Sequence, residues 1–150
     1  MPVDPSFAGR VYPPAEPYLV GREKLREFAR AVGATHPACF DPAAARALGY
    51  ADVVAPPTFA GVIAQRAEAA YVEDPAAGID FARVVHAEES IRSARPIVAG
   101  DQIDAALRVV SVRARRGLTL VVTEVALSDA VSHHPVAAVT STLAVREDVP

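Results

Sequence analysis

Three residues that can carry chemistry lie close together in segment 33–45, namely His36, Cys39 and Asp41. A histidine titrates near neutral pH and can act as a general base, and a cysteine thiolate can act as a nucleophile. Both roles need an orienting or deprotonating partner, and no carboxylate lies within a few residues of His36 on the same side. Asp41 precedes a proline, a pattern typical of a helix N-cap. The segment therefore favours a loop histidine without catalytic function and a small buried Cys39, with His36 as a relocated base as the alternative.

The other histidines offer weaker candidates. His86 lies on a predicted strand beside Glu88 and Glu89, where it could line a cleft or pair with a carboxylate, although a structural role is favoured. His133 and His134 lie in a predicted turn, where we expect them to be exposed. No group of His, Cys and acidic residues has metal-ligand spacing, and no glycine-rich phosphate loop is present. We therefore expect neither a metal nor a cofactor.

Composition limits the possible functions of the chain. Its 150 residues suit a single domain, 1–150, and 51% of them are hydrophobic, as in globular proteins. A net charge of −3 provides no basic field for phosphates, so nucleic acid is not an expected partner. One cysteine excludes an internal disulfide, and neither a signal peptide nor an apolar stretch of membrane-spanning length is visible. We expect a soluble cytoplasmic protein without membrane association.

The first half of the chain is expected to hold the helices. Residues 1–17 are predicted to form an extended arm because their prolines oppose helix formation. A short strand at 18–20 is followed by an amphipathic helix at 22–32 and a short helix at 42–48. Residues 58–73 are apolar on most sides, which predicts a central, buried helix. The apolar stripe of the first helix consists of Leu25, Phe28, Ala29 and Val32.

Beyond residue 83 the hydrophobic period changes to two, which indicates strands. Four strand-like runs follow, at 84–93, 102–113, 118–127 and 135–146. The last two connections are short, so these strands should pair antiparallel as a meander. Helices segregated from a run of long strands predict an α+β fold.

Segment 33–45 resembles the hydratase motif of the MaoC-like dehydratases, Gly-Asp-x-Asn-Pro-aliphatic-His followed by a short spacer and a helix. The resemblance extends from about residue 11 to residue 146, and is closest to N-terminal-type MaoC domains and to the non-catalytic subunit of heterodimeric (3R)-hydroxyacyl-ACP dehydratases of type II fatty acid synthesis. It implies a hot-dog fold, a curved antiparallel sheet wrapped around the central apolar helix, with extra short helices before it. Four further segments carry the resemblance: 20–29, 48–50, 54–59 and the Arg-Pro-x-x-x-Gly-Asp turn at 95–101.

In that family the motif's Asp and His hold the water that adds to a trans-2-enoyl thioester, and a backbone N–H at the start of the central helix polarises the thioester carbonyl. In this sequence the Asp position is Ala34, the Asn position is His36 and the His position is Cys39. The helix donor aligns with Pro57, which has no N–H, although an alignment shifted by one residue would let Thr58 donate. The resemblance thus implies a degenerate site in which His36 is the sole catalytic candidate.

Three functions follow from the resemblance. The first is a substrate-binding, catalytically degenerate subunit that pairs with a catalytic MaoC-like chain and binds an acyl-CoA or acyl-ACP thioester. The second is a homodimeric enoyl-thioester hydratase with a non-standard site that uses His36 or water bound by Thr58. The third is an acyl-thioester-binding module without catalysis. The residues expected to bind the substrate or line an acyl tunnel are Pro57, Thr58, Phe59, Val62 and Ile63.

Overall fold

The computed structural model describes residues 1–147, whose six strands form one antiparallel sheet. The strands are Val11–Tyr12 (β1), Tyr18–Leu19 (β2), Val84–Ser93 (β3), Gln102–Arg115 (β4), Leu118–Asp129 (β5) and Pro135–Arg146 (β6). Their order in the sheet is β1-β4-β5-β6-β3, β2 pairs with a second stretch of β4, and β3 pairs with β6 alone among these strands. The predicted meander of the last three strands and the α+β arrangement are confirmed.

The central helix is α3, Phe59–Val72, close to its predicted range of 58–73. It packs against β4, β5 and β6, and its Phe59 and Tyr71 side chains are fully buried. Burial of a large apolar side chain stabilises a fold by roughly 1.5–3 kcal/mol, so this helix organises the core. Because Pro75 follows closely and starts a separate turn, Pro75–Ala77, the helix ends before it.

The amphipathic helix α1, Arg22–Ala31, lies over the start of α3. Its Leu25 and Ala29 are fully buried, and the Phe28 ring meets the Phe59 ring edge-on at 5.3 Å between centroids. Val32, the last residue of the predicted apolar stripe, lies beyond the end of the helix and is 49% exposed. The helix ends at Ala31 because Gly33 adopts a left-handed φ of 71° that turns the chain away.

The first 17 residues are not uniformly extended. The Asp4 side chain accepts a hydrogen bond from the Ser6 N–H at 2.8 Å and caps a 3-10 turn, Pro5–Phe7. Proline opposes a long helix but suits the first position of a single turn, which explains why the proline-rich sequence still forms one. The Asp4 N–H donates to the Ala77 carbonyl at 2.9 Å, and Phe7 is buried in the core, so the segment is fixed to the domain.

Candidate active site

A cavity of about 580 Å³ opens where three segments meet: the loop before the second helix, the start of α3 and the end of β3. A cavity of this size falls within the range of small-molecule sites, about 300–1,000 Å³. Its walls are mostly apolar. The lining residues are His36, Ala38, Cys39, Leu48, Tyr50, Val54, Ala55, Pro56, Pro57, Ala60, Ser93, Ala94, Arg95, Pro96 and Ile97.

The loop wall is built from two capped turns. His36 Nδ1 accepts a hydrogen bond from the Ala38 N–H at 3.2 Å and caps a 3-10 turn, Pro37–Cys39. Asp41 accepts from the Ala43 N–H at 2.9 Å and caps the second helix, α2, Pro42–Ala47, as predicted. The Ala38 carbonyl accepts from the Val54 N–H at 2.9 Å, which ties the loop to the segment leading into α3.

His36 and Cys39 both reach the cavity, but neither has the surroundings of an acid–base catalyst. Neutral histidine carries one ring proton, and Nδ1 is occupied as an acceptor, so the proton lies on Nε2 and leaves no lone pair there to remove a proton. Cys39 is buried, and burial raises the pKa of its thiol, which favours the unreactive protonated form. Ala34 can carry no proton. The cavity lining contains no carboxylate among residues 1–147.

Arg95 is a charged residue in the cavity wall, and the sequence analysis did not predict this position. Its guanidinium donates to Asp101 at 2.7 Å and to Asp129 at 3.3 Å, and the hydrogen bond to Asp101 raises the pKa of Arg95 further. Asp101 also accepts from the Val98 N–H at 3.0 Å. Two carboxylates thus neutralise the charge of Arg95 and fix the turn that closes one side of the cavity. In the sequence, the sign of this turn is the Arg-Pro-x-x-x-Gly-Asp pattern.

The start of α3 offers limited hydrogen-bond donors to the cavity. Pro57 lines the cavity without an N–H, and the N–H groups of Phe59 and Gly61 are bound to the carbonyls of Pro56 and Thr58. The Thr58 and Ala60 N–H groups form no backbone hydrogen bond within the described part of the chain. Ala60 also lines the cavity, so a backbone donor remains near it that the sequence pattern did not indicate.

The expected substrate-binding residues are not all in one place. Pro57 lines the cavity, whereas Thr58 is exposed beside it and Val62 is half-buried against the core. Phe59 is fully buried within the core, and Ile63 borders a second, smaller cavity of about 280 Å³ next to β4. The periodicity identified α3 as central, but it did not show which of its sides face the core.

The positions of the remaining histidines match the predictions from the sequence only in part. His133 and His134 lie in an exposed turn, as predicted. His86 Nε2 lies 3.8 Å from a carboxylate oxygen of Glu68 on α3, rather than pairing with its strand neighbours. Within residues 1–147, no three His, Cys, Asp or Glu side chains lie close enough to hold a metal ion. No helix of the described chain is long and apolar enough to span a membrane.

Known proteins are similar to this sequence over nearly its whole length. A family model for the FAS1-like dehydratase domain region matches residues 6–138. A UPF0336 protein of Clavibacter michiganensis is 53% identical over 148 residues, which cover 99% of both chains. A UPF0336 protein of Streptomyces avermitilis is 45% identical over 144 residues, 96% of both chains.

Several solved structures share the fold of this chain. A chain of the truncated HadBC (3R)-hydroxyacyl-ACP dehydratase complex from Mycobacterium tuberculosis is 32% identical and superposes with a TM-score of 0.81, covering 92% of this chain and 96% of that one. A MaoC-like dehydratase is 34% identical with a TM-score of 0.84, covering 95% of this chain and 43% of that longer one. The ChsH1–ChsH2 complex of M. tuberculosis shares the fold with a TM-score of 0.70 at 16% identity, covering 93% of this chain and 98% of that one. The sheet wrapped around α3 is thus a hot-dog fold, and the chain belongs to the MaoC-like dehydratases, in the FAS1-like dehydratase-region family.

Proposed function

We propose that this protein is the substrate-binding, catalytically degenerate subunit of a heterodimeric dehydratase that acts on 3-hydroxyacyl and trans-2-enoyl thioesters. The observation that carries the proposal is the cavity of about 580 Å³ at the motif position, which is lined mostly by apolar side chains and by no carboxylate of residues 1–147. Hydration of an enoyl thioester needs a base to activate water and an acid to protonate C2. The apolar walls suit an acyl chain, whereas the base and the acid must come from a partner chain.

The catalytic chain would supply the Asp and His of the complete motif. This chain would supply Leu48, Tyr50 and Ile97 as apolar walls, and backbone N–H groups at the start of α3, where the positive end of the helix dipole favours the negative charge that develops on the thioester oxygen. The HadBC complex, a (3R)-hydroxyacyl-ACP dehydratase, supports a two-chain enzyme as the form in which such a fold acts.

The free edge of β3 supports assembly with a second chain. The strand has ten residues, most of them exposed, and within residues 1–147 it forms strand hydrogen bonds with β6 on one side only. A long unpaired edge is a template for another strand, and soluble proteins usually cover or interrupt it. Pairing with the corresponding strand of a catalytic MaoC-like chain would cover it and form a double hot dog.

A homodimeric hydratase is the second candidate, favoured by the position of His36 on the cavity wall. Its Nδ1 hydrogen bond to the Ala38 N–H opposes this candidate, because Nε2 then carries the proton instead of receiving one. Hydration by His36 would require this turn to rearrange. A binding module without any catalytic partner remains the third outcome of the experiment below.

The test compares hydration of a trans-2-enoyl thioester by the purified chain alone, by a catalytic MaoC-like chain of the same organism alone, and by the two co-expressed. We expect turnover in the co-expressed sample far above that of either chain alone. Turnover by this chain alone that disappears in His36→Ala would instead establish the homodimeric hydratase. Tight acyl-thioester binding by the chain, with no change in the turnover of the catalytic chain, would establish a binding module.

A further inference from the structure

The edge of the sheet beside β4 contains a gap between the two short strands β1 and β2. β1 ends at Tyr12, which lies opposite Leu107 of β4. β2 begins at Tyr18, which lies opposite Ile103. Between them, the strap, residues 13–17, includes three prolines, which have no N–H to donate to β4. Within the described chain the strap forms no backbone hydrogen bond, so it runs past β4 without pairing with it.

Ala105 lies in the middle of this gap, and its backbone groups point into it. In an antiparallel pair, successive residues direct their N–H and C=O groups alternately to the two sides of the strand. The Val109 N–H donates to the Arg10 carbonyl at 2.9 Å, so Val109 and the odd-numbered residues before it face the N-terminal segment. The Ala105 N–H and C=O therefore face the gap, and neither forms a hydrogen bond within residues 1–147. A strand uses this pair of groups to bond one residue of an antiparallel neighbour.

A cavity of about 280 Å³ lies at the gap, between the strap, α3 and β4. Ala105 borders it, and the buried side chains of Ile63, Ile103 and Leu107 form an aliphatic wall. Its volume is close to the lower limit of small-molecule sites, about 300 Å³, and gives room for about nine water molecules. None of its lining residues borders the cavity of about 580 Å³, so the two sites are separate. The cavity therefore suits a small molecule with an aliphatic group.

Two opposite charges border this cavity without pairing with each other. Arg66 on α3 and Glu16 on the strap are both exposed lining residues, and neither forms an ion pair within the described part of the chain. The Arg66 guanidinium carbon lies 5.5 Å from the centre of the Tyr18 ring, within cation–π distance, which holds the cation beside the gap. A guanidinium binds a carboxylate through charge-assisted hydrogen bonds, and a carboxylate binds an ammonium group in the same way. The two charges together therefore suit a zwitterion.

From these groups we infer that the cavity binds a free aliphatic α-amino acid, with leucine as the representative. The carboxylate accepts hydrogen bonds from the Arg66 guanidinium and the Ala105 N–H, and the ammonium group donates to the Ala105 carbonyl and to Glu16. Opposite residues of paired strands point to the same face, so the ligand side chain lies beside that of Ala105 and packs against Ile63. The bound amino acid fills the gap in the sheet edge, and the inference does not depend on the proposed heterodimer.

The experiment measures binding of L-leucine to the purified chain by isothermal titration calorimetry. Wild type is compared with Arg66→Gln, Glu16→Gln and the matched control Arg30→Gln. Arg30 is also exposed and lies over an aromatic ring, at 5.9 Å from the centre of Phe40, but it does not border this cavity. Two further ligands each lack one charge of leucine, because isocaproate has no ammonium group and isoamylamine has no carboxylate.

We expect saturable binding of L-leucine with a Kd below about 1 mM. Arg66→Gln and Glu16→Gln should each weaken it about tenfold or more, because each removes a charge-assisted hydrogen bond, whereas Arg30→Gln should change it less than about threefold. Isocaproate and isoamylamine should each bind about tenfold or more weakly than leucine. The inference would be overturned by the absence of saturable leucine binding, by equal affinities of Arg66→Gln and wild type, or by isocaproate binding as tightly as leucine. The proposed function would stand in each of these cases.

Discussion

Removal of the Thr123 hydroxyl should destabilise the protein through a single buried hydrogen bond. Thr123 on β5 is fully buried and donates to the Glu68 carboxylate at 2.6 Å. Thr123→Val preserves the shape of the side chain while it removes the donor, so the carboxylate retains only His86 at 3.8 Å. Ser141, opposite Thr123 on β6, provides a matched control because its buried hydroxyl has no hydrogen-bond partner among residues 1–147.

The expected size of the effect follows from the type of bond. Hydrogen bonds to charged groups contribute about 1.5–3 kcal/mol, and a buried group that loses its partner also bears a desolvation penalty. We therefore expect Thr123→Val to reduce the free energy of unfolding by about 2 kcal/mol, which for a chain of this length lowers Tm by roughly 4–8 °C. Ser141→Ala removes a polar group that forms no bond, so its stability should stay within about 1 kcal/mol of wild type, on the stabilising side.

The assay is chemical denaturation followed by circular dichroism at pH 7, with Tm measured in parallel. The double variant Thr123→Val with Glu68→Gln should recover part of the loss, because a neutral amide is less costly to bury than a carboxylate. Equal effects of Thr123→Val and Ser141→Ala would refute the reasoning, since only one of the two hydroxyls has a partner to lose.

Three further predictions concern the core, the acid limit of stability and the cavity. Tyr71→Phe should stabilise the fold by about 1 kcal/mol, because the buried Tyr71 hydroxyl has no hydrogen-bond partner within the described chain. Burial of this hydroxyl also raises the pKa of Tyr71 to about 12. A loss of stability in the same denaturation assay would contradict this prediction. The bidentate hydrogen bonds of Arg22 at 2.7 and 3.0 Å lower the pKa of Asp52 to about 2, so the pair stabilises the protein above the ordinary carboxyl pKa of about 4 and loses this contribution as pH falls towards 2. Thermal melts should therefore show Arg22→Gln less stable than wild type at pH 6 and indistinguishable from it near pH 2, and a constant difference would contradict the assignment. Leu48→Glu places a charge on the cavity wall and should raise KM for long-chain thioesters about tenfold in the co-expressed pair, whereas the control Val32→Glu, exposed outside the cavity, should leave KM unchanged.

The sequence predicted the elements of this fold better than the contacts between them. The change of hydrophobic period near residue 83 and the apolar character of α3 were sufficient to predict a meander and a buried helix. Asp41 followed by Pro42 correctly placed the start of α2, because capping depends on residues close in sequence.

The contacts that were missed join residues far apart in the chain. Glu68 and Thr123 are separated by 55 positions, and the bond between them depends on how α3 is rotated over the sheet. The same rotation buries Phe59 in the core and turns Ala60 towards the cavity, although both belong to one apolar run. A helix that is apolar on most sides carries no periodic signal from which this rotation could be read.

The central claim is that this chain contributes the cavity and not the acid–base groups, and the kinetics of the co-expressed pair test it most directly. Enoyl-thioester hydration is measured for the pair carrying His36→Ala and for the pair in which the Asp of the catalytic chain's motif is replaced by Asn. We predict that His36→Ala changes kcat less than threefold and that the Asp replacement lowers it by about 10²–10⁴, the usual contribution of a general acid or base. A fall of that size in the His36→Ala pair, at unchanged stability, would contradict the account.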